Sequence, residues 1–79
     1  MKKYGLLNEK GQAMRCGTPF VEVDENGTET LYSYYTPICE RDSAGNIRRI
    51  WGGWTQTTGK HIKAFCGLNK AQFMELPIK

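Results

Sequence analysis

Residues 51–67 read WGGWTQTTGKHIKAFCG, and the fold turns on where this stretch stops behaving as a strand. Beyond Trp54 the spacing changes: from Thr57 onward Ile62, Phe65 and Cys66 sit three and four apart, the stripe of a helix, and Gly67 is a natural C-terminal stop. Gly52 and Gly53 let the chain turn from sheet to helix, with Trp51 and Trp54 flanking the corner. A threonine hydroxyl accepts a hydrogen bond from an orphan amide of the first turn, worth about 1 kcal/mol, and Thr57 or Thr58 is expected to supply it. Asn69 then caps a second short helix, Lys70 to Leu76, with Phe73 and Leu76 on one side and Pro77 as its end.

Upstream the chain is punctuated by turns. Asn8-Glu9-Lys10-Gly11, Asp24-Glu25-Asn26-Gly27 and Asp42-Ser43-Ala44-Gly45 each open on an Asx residue and close on a glycine, the form of a hairpin loop that ends in a left-handed residue. Strand-like runs lie between them: Met14 to Cys16, Phe20 to Val23, Thr30 to Thr36, Ile38 to Glu40 and Asn46 to Trp51, with Lys3 to Leu7 as an edge strand. Alternation sends Leu31, Ser33 and Tyr35 to one face and Tyr32 and Tyr34 to the other, so this strand should be central. Pro37 cannot donate a ladder bond and should bend or bulge the chain before Ile38 resumes, as Gly17-Thr18-Pro19 does earlier. The strands share no sequence, so the order is a meander and not a repeat. The expected fold is α+β: an antiparallel meander of about four to six short strands followed by two short C-terminal helices.

A chain of 79 residues is read as one domain, 1–79. At that size only about 60–65% of the unfolded chain's surface leaves water, too little for a spacious catalytic pocket. Two Trp, four Tyr, three Phe and mixed charges argue for a folded domain. No apolar run reaches the roughly 20 residues needed to span a bilayer, and Asn8-Glu9-Lys10 follows the first residues in place of a hydrophobic signal core. A cytoplasmic protein with no membrane partner is expected.

Cys16, Cys39 and Cys66 are far apart and in no C-x-x-C pair, so neither a disulfide framework nor a zinc site is signalled, and no metal or other cofactor is expected. Small buried thiols are the simplest reading. His61 lies at the border of the Ile62, Phe65 and Cys66 stripe, where a ring packs its body and wets its edge. No Asp or Glu falls between Ala44 and Phe73 to orient it, so it is read as capping and packing, not as a catalytic acid or base. The tryptophans suit core plugs or binding hot spots, Trp54 more readily the latter.

Charge divides the chain. Residues 1–15 hold Lys2, Lys3, Lys10 and Arg15 against Glu9; residues 16–40 hold Glu22, Asp24, Glu25, Glu29 and Glu40 with no base. Residues 41–70 hold Arg41, Arg48, Arg49, Lys60, Lys63 and Lys70 against Asp42, and the net charge is +3. Arg48, Arg49, Trp54, Lys60 and Lys63 are therefore the candidate binding surface, suited to phosphates beside a stacking platform. Adjacent strand residues alternate, however, so Arg48 and Arg49 should face opposite ways. The alternative is the acidic surface of Glu22, Asp24, Glu25 and Glu29, a carboxylate-rich mimic of a phosphate backbone.

Leu31-Tyr32-Ser33-Tyr34-Tyr35-Thr36-Pro37-Ile38, Arg49 to Ile62 (RIWGGWTQTTGKHI) and Lys70 to Pro77 resemble a family of short uncharacterised proteins of bacteriophages and prophages. That family has a Y-S-Y-x-T-P strand, a W-(S/T)-x-T-T-x-(K/R)-H-(I/V) helix start and a short acidic-aromatic tail. The resemblance covers residues 30–77 and leaves 1–29 as variable N-terminal hairpins. It implies a small gene on a mobile element, expressed in the cytoplasm of the bacterial host. The expected function is non-enzymatic: binding a host protein or protein–nucleic acid complex, as a monomer or homodimer, in the manner of an inhibitor of a defence system such as a CRISPR complex. The alternative is a small nucleic-acid-binding module using the basic and aromatic face.

Overall fold

The computed structural model describes residues 2–7, 10–14 and 19–78. Among them β1 (Lys2–Gly5), β2 (Phe20–Val23), β3 (Glu29–Ser33), β4 (Thr36–Arg41) and β5 (Ile47–Arg49) precede α1 (Gln56–Cys66) and α2 (Lys70–Met74). The strands form one antiparallel sheet in chain order, β1-β2-β3-β4-β5, so β3 is central. The fold is the α+β meander with two C-terminal helices that the hydrophobic spacing implied.

Two of the Asx-to-Gly loops are built as expected. The Asp24 carboxylate accepts from the amides of Asn26 and Thr28, and Asp42 accepts from those of Ala44 and Asn46. Gly27 and Gly45 close the loops at φ 82° and 90°, a region open to glycine because it has no Cβ. The loop at Asn8 and the strand from Met14 to Cys16 lie largely outside the described residues, as does Gly17-Thr18; Met14 itself is not in a strand, though its amide donates to the Leu6 carbonyl.

The run from Thr30 to Thr36 is not one strand. The chain reverses at Tyr34 and Tyr35, which pass through φ 53° and 62°, the left-handed pair that a two-residue hairpin requires. Two tyrosines carry no turn signal, which is why residue type concealed the reversal. Pro37 is the second residue of β4 and sits beside a bulge: Leu31 pairs with Cys39 and Tyr32 with Pro37, so Ile38 is the extra residue. The Ile38 carbonyl is then the acceptor for the amides of both Ile50 and Trp51, fixing the exit from β5, which stops at Arg49 instead of running to Trp51.

Alternation sorts the sheet into two faces. Val21, Leu31, Ser33 and Cys39 point to the helices, where they meet Leu6, Ile38, Ile62, Phe65 and Phe73 in one core. Helix α1 begins two or three residues earlier than a cap at Thr57 or Thr58 would place it. Thr55, at φ −128° and ψ 162°, is the cap, and its hydroxyl accepts from the Thr58 amide at 3.1 Å. Thr57 and Thr58 are inside the helix, and Thr58 spends its hydroxyl on the core instead. Gly67 ends α1 at φ 74°. Helix α2 opens with a full capping box between Asn69 and Gln72 and ends at Met74, two residues short of Leu76.

Candidate functional site

The face of the sheet turned away from the helices carries Lys3, Phe20, Glu22, Thr30, Tyr32, Pro37, Glu40 and Arg48, by register and alternation. None of these is buried; Lys3 and Arg48 are exposed and the rest are partly so. Phe20 and Tyr32 stand opposite each other, and their rings stack at 4.8 Å with 7° between planes. Tyr35 leans back from the hairpin tip to within 5.9 Å of Phe20. The Lys3 ammonium sits 4.8 Å from the centre of the Phe20 ring and 3.5 Å from the Glu22 carboxylate. The Tyr32 hydroxyl pKa is raised, chiefly by burial and then by the Glu22 charge. The result is an aromatic centre with a charged rim.

At the tip, Tyr34 and Tyr35 are 56% and 73% exposed. Holding two non-glycine residues at positive φ costs on the order of 1 kcal/mol each. The strain thus presents two large rings to solvent.

The five basic and aromatic candidates do not share a surface. Arg48 lies on the open face. Arg49 points the other way, where Nε donates to the Leu76 carbonyl at 2.9 Å and the guanidinium covers the Phe73 ring at 5.9 Å. Trp54 is half-buried at the corner between the helices, 5.7 Å from Phe73. Lys60 and Lys63 are exposed on the outer side of α1, away from its buried residues and thus across the molecule from Arg48. The acidic candidates are divided in the same way. Glu22 is on the open face, Asp24 builds its own turn, and Glu25 is exposed at that turn. Glu29 faces the helices, accepting two bonds from Arg41, at 2.8 and 3.1 Å, and one from the Tyr4 hydroxyl. A shallow depression of about 220 Å³ lies beside that cluster, lined by Tyr4, Leu6, Arg41 and Phe65 among others, but Arg41 already serves Glu29 and the Phe65 carbonyl.

His61 does not wet its edge. It is 1% exposed, and its Nδ1 is hydrogen-bonded at 2.8 Å to Ser33 Oγ, which in turn lies 3.2 Å from Thr58 Oγ1. A serine bonded to a histidine nitrogen is the pair that hydrolases use to activate a nucleophile. Here Ser33 is 1% exposed, so the hydroxyl meets protein and not substrate. The three residues tie α1 to β3, and among the described residues no buried side-chain nitrogen or oxygen lacks a partner. Nothing in residue type pairs Ser33 with His61; the signal is a polar residue on the same strand face as Leu31, which burial obliges to find a partner.

Of the cysteines, Cys39 is buried as expected, Cys66 is partly exposed, and Cys16 lies outside the described residues. Among the described residues no three His, Cys, Asp or Glu side chains gather as a metal site. No helix among them is long and apolar enough to cross a membrane.

These features define a small α+β domain with one face of its sheet sealed by helices and the other presenting aromatic rings. The chain belongs to a family of unknown function (DUF8033), which matches residues 7–76. That span takes in most of the N-terminal third, beyond the reach of the motif resemblance at 30–77. No curated protein and no solved structure matches the chain.

Proposed function

We propose that this chain is a non-enzymatic binding protein that engages a host protein, alone or within a larger complex, through the open face of its sheet and the adjoining hairpin tip. The observation that carries the reading is the strained Tyr34-Tyr35 turn, which holds two rings outward beside the stacked Phe20 and Tyr32. Tyrosine gives large rigid contact area with little entropy to lose, and such residues dominate binding hot spots. The rim pairs Lys3 and Arg48 with Glu22 and Glu40, so its charges balance and suit a protein surface better than a run of phosphates. In the phage setting that the sequence motifs suggest, inhibition of a host defence complex is the form such binding takes.

The nucleic-acid reading keeps one observation in its favour, the exposed pair Lys60 and Lys63 on α1. One experiment separates the two. Wild type, a Phe20→Thr/Tyr35→Ser variant and a Lys60→Glu/Lys63→Glu variant, each shown to be folded by circular dichroism, are used to capture partners from bacterial host lysate and to titrate labelled single- and double-stranded DNA and RNA at low and moderate salt. A protein partner lost only with the aromatic variant supports the proposal. Salt-sensitive nucleic-acid binding lost only with the lysine variant refutes it in favour of the module on α1.

A further inference from the structure

Two thiols meet where α1 ends over β4. Cys39 and Arg41, two apart on β4, both face the helices. Arg41 Nη1 donates to the Phe65 carbonyl at 3.0 Å and its guanidinium lies 4.4 Å over the Phe65 ring, which brings the last turn of α1 down on this part of the strand. Cys66 follows Phe65 and packs against the core that contains Cys39, where each thiol perturbs the protonation of the other. Their surroundings differ. Cys39 is 0% exposed, while Cys66 is partly exposed, and its thiol donates to the Ile62 carbonyl at 3.3 Å. The neighbouring Cys39 thiol, then the Leu68 amide and the Arg41 charge, draw the Cys66 pKa down to about 7; the neighbouring Cys66 and burial push that of Cys39 up. Cys66, the less buried of the two, is thus the better nucleophile at neutral pH, with a protonated thiol beside it.

We propose that Cys39 and Cys66 form an oxidation site, at which a hydroperoxide oxidises Cys66 and Cys39 closes a disulfide that ties α1 to β4. In the first step the Cys66 thiolate attacks one peroxide oxygen. The S–O bond forms, the O–O bond breaks, and the departing hydroxide takes up the proton that Cys66 released, leaving water and a sulfenic acid. In the second step the Cys39 sulfur attacks the sulfenic sulfur. The S–S bond forms, the S–O bond breaks, and the hydroxyl leaves as a second water with the Cys39 proton. Two thiols lose two electrons and one hydrogen peroxide becomes two waters. The neighbouring thiol intercepts the sulfenic acid before a second peroxide can carry it to the irreversible sulfinic acid.

The test uses the full chain with Cys16→Ser, so that two thiols remain, treated with hydrogen peroxide and mapped by mass spectrometry without reduction. The expected product is a peptide pair joined through Cys39 and Cys66, released by dithiothreitol, with the oxidised protein melting above the reduced one. With Cys39→Ala added and folding confirmed by circular dichroism, dimedone should trap a sulfenic acid at Cys66. Thiols that stay unmodified at a dose that oxidises a small-molecule dithiol, or Cys66 found as sulfinic acid with Cys39 still reduced, would overturn the proposal. Neither readout depends on a binding partner.

Discussion

The indole of Trp54 lies across Gly59, so closely that a Cβ built on the glycine would stand 2.5 Å from Cζ2 and 2.8 Å from Cε2. Trp51 does the same to Gly53, at 2.7 Å. Gly53 and Gly59 are thus seats for the two tryptophans of the WGGWTQTTGK segment.

Replacement of Gly59 should therefore reverse the usual helix rule. In an exposed helix interior Gly→Ala gains about 1 kcal/mol. In this chain the added methyl would push a ring wedged against Phe73, and overpacking of that kind costs about 1–3 kcal/mol. Gly59→Ala is expected to lower the urea midpoint, and to raise it once Trp54→Ala has removed the ring; urea titration of the two single variants and the double variant checks both signs.

Ser33→Ala leaves the buried His61 Nδ1 and Thr58 hydroxyl without their shared partner. Stranding a buried polar group costs about 1–3 kcal/mol, and the loss should appear as a lower midpoint in chemical denaturation. If Ser33→Ala unfolds at the same denaturant concentration as wild type, the buried tie contributes nothing.

Tyr34→Asn should stabilise the chain by about 0.5–1 kcal/mol, because asparagine tolerates the left-handed conformation that Tyr34 holds at φ 53°. The same change should weaken capture of a partner if the exposed ring is part of the binding surface. A variant that is more stable and binds less would show strain retained for function; thermal melts and the capture assay together measure it.

Acid and alkali should both act on the Tyr4, Glu29 and Arg41 cluster. The Tyr4 bond first, and then those of Arg41, hold the Glu29 carboxyl below its ordinary range. A depressed pKa in the folded state gives stability that is present above the unfolded value and lost as pH falls through the folded one. Burial first, and then the bond to Glu29 and its charge, push the Tyr4 hydroxyl up to about 12. That contribution is complete below the ordinary tyrosine pKa of about 10 and disappears as pH rises toward about 12. Glu29→Gln should flatten the acid limb, and Tyr4→Phe should flatten the alkaline limb and part of the acid one, in denaturation curves taken across pH.

The fold was legible wherever residue type and local geometry agree. Phe20 to Val23 alternates and is a strand, Gly27, Gly45 and Gly67 accept positive φ, and Asn69 caps its helix. It was illegible where three-dimensional contact overrides local preference. Tyr34 and Tyr35 make a turn that their side chains resist, and Thr55 wins the cap because Thr58 is held inside by Ser33. The candidate surfaces suffered in the same way. Charge along the chain marks which residues are ionised but not which side of a five-stranded sheet each one reaches, so Arg49 and Glu29, apparent surface charges, turn out to hold the helices and the edge strand in place.

The strand order has a bearing on how the protein is made. Every strand pairs with its neighbour in the chain, so beyond the longer span from β1 to β2 each pairing closes only a short loop, the arrangement that favours rapid folding. Synthesis runs from the sheet toward the helices, however, and Val21, Leu31 and Cys39 are covered only when Ile62, Phe65 and Phe73 arrive. Until the ribosome has released α1 and α2, the apolar side of the nascent sheet stands open to water, and its demand for a chaperone should be greatest in that interval.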